Sequence, residues 1–167
     1  MTIRPARPED APAIAAIYNE GIASGLATFE TRPRSAQEVE AWVGEDGPLL
    51  VAADGDTVLG CARVTPYSDR WVYAGVGEYG IYVAEAARGA GVGRALLAAL
   101  CAEAEARGLH KLVGRMFALN TASRALARAA GFREIGVERR HGRINGEWRD
   151  CVPVERLLGA AVDGDGA

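Results

Sequence analysis

The sequence predicts an α/β fold with a mixed central sheet of about seven strands and helices on both faces. Two observations support this prediction. Extended apolar runs alternate with runs whose apolar residues recur at helical spacing, which is typical of α/β proteins. The last two extended runs are instead joined by a short turn, which adds an antiparallel pair to the sheet. With 167 residues, 49% of them hydrophobic, the chain can bury the core that such a sheet requires.

In the N-terminal part of the chain, the sequence predicts three strands and two helices. "TIRPA" is a short strand, and an amphipathic helix follows it. The apolar face of this helix is formed by Ile14, Ile17, Tyr18 and Ile22. "SAQE" has the pattern of a capping box, in which the side chains of Ser35 and Glu38 each accept from a free amide, so a second helix begins there. "PLLVAAD" and "TVLGCARVTP" flank the turn sequence "DGD" and predict a hairpin.

The rest of the chain continues the alternation. "GVGEYGIYVA" predicts a strand, and the residues from Gly91 to Arg107 predict a helix that Gly108 ends in the left-handed conformation. "LHKLVGRMF" predicts another strand. "NTASRALARAAGF" predicts a helix with Asn120 as its N-cap and Gly131 at its end. "REIGVERRH" and "WRDCVPVERLL" predict two final strands joined by the turn "NG".

These elements predict a single domain over residues 1–158. The tail, residues 159–167, is small, acidic and glycine-rich, so we expect it to be disordered. The net charge is −3 and the 19 basic residues are scattered, which argues against a nucleic-acid partner. The N-terminus lacks the apolar core of a signal peptide, and the longest apolar runs are far shorter than the roughly 20 residues that span a bilayer. We therefore expect no membrane segment.

The three cysteines, Cys61, Cys101 and Cys151, form no CxxC pair. An odd number of cysteines without a signal peptide predicts reduced thiols and a cytoplasmic location. All three fall in strand patterns or on the apolar side of a helix, which favours buried structural thiols. A covalent acetyl-cysteine route is not expected, because no cysteine has a histidine beside it.

A glycine-rich stretch, "ARGAGVGRALL", lies between a predicted strand and the helix after it. Such a turn directs backbone N–H groups and the positive end of the helix dipole at one point, which suits a phosphate group. A Walker A loop would need lysine and a hydroxyl, but Arg94 and Ala95 follow Gly93. A dinucleotide-binding fold would need a third spaced glycine and an acidic residue after the next strand, and both are missing. These two nucleotide loops are therefore excluded.

The remaining pattern, [QR]xxGxG, is matched from Arg88 to Gly93 and resembles the signature of the GNAT superfamily of N-acetyltransferases, whose loop binds the pyrophosphate of coenzyme A. "NTASRALARAAGF" matches the second half of that family pattern. "RPARPEDAPAIAAIYNEGI", "TFET", "EYGIYVAEAARGAGVGRALL" and "GEWRD" are similar to phosphinothricin, methionine sulfoximine and arsinothricin N-acetyltransferases, up to about Leu158. The resemblance implies the GNAT fold, acetyl-CoA as co-substrate, a small amino acid as acceptor and a homodimer.

The resemblance also implies how acetyl-CoA binds. In this family the strand before the glycine loop is splayed from its neighbour, so the pantetheine arm pairs with its free backbone edge. The amide of Val83 then faces the thioester oxygen as an oxyanion-type donor. The chemistry requires no metal. The predicted cofactor-binding residues are Ile81, Tyr82, Val83, Arg88, Gly89, Ala90, Gly91, Val92, Gly93, Arg94, Asn120 and Ser123.

Glu78 and Val83 are the predicted catalytic residues. An aliphatic amine is mostly protonated at neutral pH, so a carboxylate that takes its proton favours attack on the thioester. Glu78 matches the acidic residue that the resembled acetyltransferases place beside the acceptor amine. Many family members carry tyrosine or histidine four residues before the glycine of the final "GF", where this chain has Ala127. No general acid is therefore assigned, and Tyr82, a water or unassisted departure of the thiolate stay open.

The acceptor that the resemblance implies is a glutamate-like amino acid with a phosphinate, arsenic-containing or sulfoximine end. Arginine suits such charged ends, and Arg70 has the spacing before Glu78 of an arginine in phosphinothricin acetyltransferases. The predicted substrate-binding residues are Thr28, Phe29, Glu30, Arg70, Tyr73 and Glu78. His141 and Trp148 lie around the last hairpin, a region that this family uses in dimer contacts and at the mouth of the site.

Two other functions stay open. The same fold would act on another amine, such as a peptide N-terminus, a polyamine or an antibiotic, if acidic groups rather than Arg70 surrounded the acceptor. A catalytically silent sensor of acyl-CoA is the second alternative. The missing tyrosine or histidine at Ala127 favours it, whereas Glu78 and the intact loop oppose it.

Overall fold

A computed structural model of the chain describes residues 1–162 and confirms the α/β fold. The strands are β1 (Thr2–Pro5), β2 (Leu49–Asp54), β3 (Thr57–Pro66), β4 (Val76–Val83), β5 (Lys111–Phe117), β6 (Arg133–Glu134), β7 (Glu138–Ile144) and β8 (Glu147–Leu157). The α-helices are α1 (Ala11–Ser24), α2 (Ala36–Val43), α3 (Val92–Ala106) and α4 (Thr121–Ala129). In this part of the chain the eight strands form one sheet in the order β1-β2-β3-β4-β5-β8-β6, with β7 pairing with β8 outside this path.

The sheet is mixed because β4 and β5 run parallel while their other neighbours pair antiparallel. A parallel pair needs a crossover, and α3 supplies it on one face of the sheet. The turn before α3 is the glycine-rich stretch. The fold therefore places this turn at the carboxyl end of β4, beyond the point where the parallel pair separates.

Helices cover both faces of the sheet, as predicted. On one face α1 and α2 bury Ile14 and Val39 against Val51 of β2. On the other face α3 buries Leu96 and Leu100 in a larger core that also contains strand residues of β3, β4, β5 and β8. Each layer removes apolar side chains from water on its own side, and this burial stabilises the packed helices.

The local signals that predicted the helices and turns are confirmed. The hydroxyl of Ser35 accepts from the backbone N–H of Glu38 at 3.2 Å, and the carboxylate of Glu38 accepts from the Ser35 N–H at 2.8 Å, which completes the capping box of α2. Gly108 and Gly131 adopt positive φ after α3 and α4. The turn between β7 and β8 has positive φ at both Asn145 and Gly146, as a tight two-residue hairpin turn requires.

Two predictions about the C-terminal part were wrong. The run "REIGVERRH" is not one strand, because β6 and β7 pair with different parts of β8 and residues 135–137 between them make no ladder pairs. The chain after Leu158 is not disordered from its first residue, because Gly159–Val162 forms a 3-10 turn. The buried side chain of Leu158, whose N–H donates to the His110 carbonyl at 2.9 Å, anchors the start of this turn. The remainder of the predicted tail, residues 163–167, lies outside the described residues.

No helix within residues 1–162 has the length and hydropathy needed to cross a bilayer.

Candidate active site

The parallel strands β4 and β5 separate just after Glu78. Their pairing ends at Glu78 and Val113, whereas β4 stays paired with β3 as far as Val83. The ring of Tyr79 occupies the space beside Gly114 of β5, and a Cβ at that glycine would overlap the ring. The backbone edge of β4 beyond Glu78 is therefore free on the β5 side. The resemblance implied this splay, and an added extended chain can pair with such an edge.

Two cavities open on either side of this splay and meet at its centre. The loop cavity, of about 440 Å³, lies between β4, the glycine-rich turn, the first residues of α4 and the second half of α1. The wide cavity, of about 810 Å³, lies over β3, β4 and β5 on the face that α1 and α2 cover. The residues that line both cavities are Ala27, Ile81, Tyr82, Asn120, Ser123 and Leu126. A group in one cavity can therefore approach a group in the other beside Ile81 and Tyr82.

The loop cavity contains an uncapped helix N-terminus. Gly91 is the N-cap of α3, has φ of 81°, and provides no side-chain hydrogen bond to the first turn. The first backbone N–H groups of a helix have no intrahelical partner and bind anions readily. Arg88 lies at the same turn, where its Nε donates to the Val83 carbonyl at 3.4 Å. This combination of free amides and a cationic side chain suits a pyrophosphate.

The glycines of the turn serve two different purposes. Gly89 and Gly91 have positive φ, and a Cβ on either would meet no heavy atom within 4 Å. They are required for backbone conformation. Gly93 has ordinary helical geometry, but a Cβ there would lie 3.1 Å from Cδ2 of Leu126. Gly93 therefore allows α3 and α4 to approach closely.

The structure places almost all the predicted cofactor-binding residues on the loop cavity. They are Ile81, Tyr82, Val83, Arg88, Gly89, Gly91, Val92, Gly93, Arg94, Asn120 and Ser123. Ala90 is the exception, because it lies at the exposed tip of the turn and does not line the cavity. Asn120 also caps α4: its Oδ1 accepts from the Ser123 N–H at 3.0 Å, and its Nδ2 donates to the Leu26 carbonyl at 3.0 Å.

Acidic and basic side chains face each other in the wide cavity. Glu78 points from β4 with 40% of its side chain exposed, and its Oε1 lies 3.9 Å from Nη1 of Arg115 on β5. Arg115 donates from Nε to Oε2 of Glu138 at 2.7 Å, and this hydrogen bond raises the pKa of the guanidinium. Glu138 and His141 lie outside the cavity lining, and His141 Nε2 is 3.5 Å from the same Glu138 oxygen. Arg115 therefore stays charged, and its hydrogen bond to Glu138 holds the guanidinium in place.

Sequence reasoning missed Arg115 and Arg63, which also lines the wide cavity. A charged residue inside the otherwise apolar run "KLVGRMF" was the available signal for Arg115, since a strand residue of this kind faces either solvent or a polar site. For Arg63 in "GCARVTP" the signal is the same. Their proximity to Glu78 depends on strand pairing, which no local pattern specified.

Thr28, Phe29 and Glu30 line the wide cavity, where they were predicted to be. The ring of Phe29 packs edge-on against Phe117 of β5, with 4.6 Å between ring centroids. The segment that connects α1 and α2 therefore closes over the end of β5. It forms one wall of the wide cavity.

Arg70 and Tyr73 line neither cavity of the single chain, and their role in substrate binding stays a prediction. They belong to the segment between β3 and β4, which extends past the ends of both strands and leaves Trp71 85% exposed. The guanidinium of Arg70 instead lies over the ring of Tyr73, 5.6 Å from its centroid. Within one chain, Arg70 and Glu78 therefore do not share the cavity.

The positions considered for a general acid, Ala127 and Tyr82, and for the mouth of the site, His141 and Trp148, lie in different surroundings. Ala127 is buried in the core of the α3 side and offers no titratable group. Burial raises the pKa of Tyr82, so this residue remains a protonated phenol that can donate a hydrogen bond. His141 and Trp148 are exposed on β7 and β8 and do not line either cavity.

The cysteines are buried, as predicted. Burial raises the pKa of the Cys61 thiol to about 12, so this group is not a thiolate at neutral pH. Among residues 1–162, no group of three or more His, Cys, Asp or Glu side chains is arranged to hold a metal ion.

The arrangement suits an acyl thioester on a long phosphorylated carrier. A phosphate at the N-terminus of α3 and an extended arm along the free edge of β4 would bring the thioester to the junction of the two cavities. The wide cavity supplies a carboxylate for a nucleophile that approaches from the other side. This fold and site define an acyl-CoA-dependent acyltransferase.

Comparison with known proteins identifies the family. The sequence model of the Acetyltransferase (GNAT) family matches residues 14–132. The chain is 38% identical over 164 residues to a phosphinothricin N-acetyltransferase of Alcaligenes faecalis, and the alignment covers 95% of this chain and 83% of the relative. It is 34% identical to an L-methionine sulfoximine/L-methionine sulfone acetyltransferase of Pseudomonas aeruginosa, over 94% of each chain.

A solved structure agrees with these relatives. The phosphinothricin acetyltransferase of Sinorhizobium meliloti, determined in complex with acetyl-CoA, is 32% identical and superposes with a TM-score of 0.91 over 99% of this chain and 92% of that one. The chain therefore belongs to the GNAT acetyltransferase family. It is an acetyl-CoA-dependent N-acetyltransferase.

Proposed function

We propose that this enzyme transfers the acetyl group of acetyl-CoA to the amino group of a small glutamate-like amino acid, of the phosphinothricin, methionine sulfoximine or arsinothricin type. The observation that carries the proposal is the junction of the loop cavity with the wide cavity at Ile81 and Tyr82, with Glu78 facing the wide cavity. The names of the Alcaligenes faecalis and Pseudomonas aeruginosa relatives support this acceptor class.

Acetyl-CoA supplies an activated acyl thioester, and the chain orients it. Arg88, Arg94 and the free amides of the first turn of α3 hold the pyrophosphate. The free edge of β4 from Ile81 to Val83 pairs with the pantetheine arm, while Asn120 and Ser123 contact it from the other side of the loop cavity. The Val83 N–H donates to the thioester oxygen, where negative charge develops during attack.

Glu78 takes the proton that the amine must lose. A free aliphatic amino group is mostly the ammonium at neutral pH, and only its lone pair attacks the thioester. Glu78, Gly80 and Tyr82 share one face of β4, because successive side chains of a strand alternate between faces. The absence of a side chain at Gly80 leaves room for the amine between the carboxylate of Glu78 and the junction of the cavities.

The thiolate product needs little assistance. The thiolate of a thiol with a pKa of about 8.5 is a better leaving group than an alkoxide. Tyr82 offers a neutral phenol at the junction, and Ala127 offers no proton donor. Tyr82 can donate a hydrogen bond to the thiolate, but its raised pKa makes it a weaker acid than the thiol, so water supplies any proton the thiolate takes up.

The first experiment is a thiol-release assay with acetyl-CoA and a panel of amines. We expect release with phosphinothricin, methionine sulfoximine or arsinothricin, and Glu78→Gln to lower kcat about 100-fold or more while changing the Kd for acetyl-CoA less than about twofold. The loss should diminish at higher pH, where solvent deprotonates the amine. Glu147→Gln, a change at an exposed residue outside both cavities, is the matched control.

The panel also separates the alternatives. Release only with polyamines, peptides or antibiotics would move the acceptor to another class. Tight acetyl-CoA binding without turnover of any amine would identify a sensor. A homodimer is a further part of the proposal, based on the resemblance, and light scattering of the purified protein tests it.

A further inference from the structure

Arg63 and Gly80 are paired on β3 and β4, and Arg115 holds the corresponding position of β5 across the splay. Gly80 of β4 pairs directly with Arg63 of β3. Glu78 pairs with Val113 of β5, so the next residues on the same face of each parallel strand are Gly80 and Arg115. All three residues line the wide cavity. Two arginines therefore flank a position that carries no side chain.

Gly80 forms a floor with free space above it. A Cβ at this position would have Tyr82 Cε2 as its nearest neighbour, at 3.7 Å, which is ordinary van der Waals contact. Strands in a sheet are about 4.8 Å apart, so the backbones of Arg63 and Arg115 are separated by about twice that distance or more across the splay. This backbone separation leaves a width of about two strand spacings over Gly80, in which an extended small molecule can lie.

Arg115 has one edge held by protein and another edge directed at the cavity. Its Nε and Nη2 donate to the two oxygens of Glu138, at 2.7 and 3.3 Å. Its Nη1 lies 3.9 Å from Glu78 Oε1, beyond hydrogen-bond distance. Glu138 thus fixes the plane of the guanidinium, and Nη1 is left for a ligand.

Arg63 is oriented in a different way. Its guanidinium lies over the ring of Trp42, 4.3 Å from the centroid, and forms an ion pair with Glu45 at 3.5 Å. Within residues 1–162 its only acidic partner is this exposed glutamate. A charged guanidinium that stacks on an aromatic ring keeps its N–H groups available at the edge of its plane.

We propose that Arg115 and Arg63 form a two-arginine cradle over Gly80 that selects amino acids with two polar or anionic ends. The inference rests on the proposed function and specifies how the acceptor lies. The α-carboxylate binds Arg115 and the ammonium faces Glu78, because these two groups share one carbon of the substrate and Arg115 and Glu78 are neighbours. The phosphinate or other distal head lies across Gly80 and binds Arg63.

Three acceptors separate the two ends. Phosphinothricin has both an α-carboxylate and an anionic head, methionine sulfone has the carboxylate with a neutral head, and 3-aminopropyl(methyl)phosphinic acid has the head without the carboxylate. We expect Arg115→Met to raise KM about 10- to 100-fold for the first two and less than about threefold for the third. Arg63→Met should raise KM for the first and third, and much less for methionine sulfone.

Controls separate recognition from folding. Arg107→Met, in an exposed pair with Glu103 outside both cavities, should leave KM unchanged for all three compounds. Arg115→Lys keeps the charge but not the forked geometry, so we expect an intermediate KM for the compounds with a carboxylate. Thermal unfolding of each variant identifies any that is not folded.

The outcomes are decisive for the cradle and for the proposed function separately. Equal effects of each variant on all three compounds, or no effect on any, would overturn the cradle. Calorimetric binding of phosphinothricin to the coenzyme A-loaded protein is measured in parallel. Arginine-dependent binding without acetylation would keep the cradle and overturn the proposed function, whereas a wild-type protein that neither binds nor acetylates phosphinothricin would overturn both.

Discussion

The loop cavity and the wide cavity meet at Ile81 and Tyr82, yet the chain builds them in different ways. The loop cavity is lined by residues between Ile81 and Arg94, by the start of α4, and by the second half of α1 with the residues after it, and its predicted phosphate-binding groups are backbone amides. The wide cavity is formed by side chains from α1, α2, β3, β4 and β5 and the segments between them. Backbone amides at a helix N-terminus bind any phosphorylated carrier in the same manner, whereas a set of side chains can change its acceptor by substitution.

This difference explains why the site defines its acyl donor more closely than its acyl acceptor. The donor is specified by geometry that tolerates little change at Gly89 and Gly91. In the proposed function the acceptor is specified by charges on Glu78, Arg63 and Arg115, which come from three strands. Variants that affect one cavity and spare the other test this division.

The largest expected effect is on the loop cavity. Gly91→Val places a β-branched residue at φ of 81° and displaces the free amides of α3, so we expect acetyl-CoA binding to weaken about 100-fold. Gly55→Val is the matched control, because Gly55 also has positive φ and open space but lies in the β2–β3 turn outside both cavities.

Both glycine variants should lose a similar stability, on the order of 1–3 kcal/mol. Calorimetry gives the affinity for acetyl-CoA and denaturant unfolding gives the stability. Equal weakening of acetyl-CoA binding by the two variants would show that the loss arises from reduced stability, and the division between the cavities would fail.

A smaller effect is expected in the wide cavity from Glu138→Gln. The change keeps the shape of the side chain but removes the charge that holds Arg115, so the guanidinium loses its fixed plane. We expect KM for the amino-acid acceptor to rise about 3- to 10-fold with kcat nearly constant. The Kd for acetyl-CoA should stay within about twofold. Steady-state kinetics with each substrate varied in turn measures both. A large change in acetyl-CoA affinity would contradict the separation of the two cavities.

The smallest effect concerns α2, which contributes Glu38 and Trp42 to the wide cavity and nothing to the loop cavity. Ser35→Ala removes the N-cap of α2 and should lower the free energy of unfolding by about 1 kcal/mol. The acceptor KM should rise less than about threefold, with acetyl-CoA binding unchanged. Denaturant unfolding and kinetics provide the two measurements, and a loss of acetyl-CoA affinity would argue against the assignment of α2 to the acceptor side alone.

The same helix has a defined pH dependence. The hydrogen bond from Arg32, followed by that from the Ser35 N–H, lowers the pKa of Glu38 from 4.5 to about 2. Because the folded-state pKa is lowered, the stabilisation is present above pH 4.5 and is lost as the pH falls towards 2. We expect Glu38→Gln to be less stable than wild type at pH 7 and pH 5 alike, and the difference to disappear near pH 2. A difference that vanished already at pH 5 would contradict the lowered pKa.

Much of the donor side could be predicted because its signals are local. The order of strand, glycine turn and helix places Arg88 to Arg94 at the carboxyl end of β4, and only Ala90 failed to reach the cavity. On the acceptor side Glu78, Thr28, Phe29 and Glu30 line the wide cavity, and their roles in substrate binding stay predictions. Arg70 and Tyr73 do not line it, because their segment extends beyond the strands that would have carried them to the cavity.

By itself the sequence determined the helices, their caps, the hairpin turns and a glycine loop suited to a phosphate, since each depends on neighbours within a few residues. Only the tertiary structure decided that β4 and β5 separate after Glu78, that "REIGVERRH" divides into two strands, and that Arg63 and Arg115 lie on the strands to either side of Gly80. These features follow from strand register and from the ring of Tyr79 beside Gly114. Register joins residues far apart in the chain, and a shift by one residue would move every side chain to the other face of the sheet.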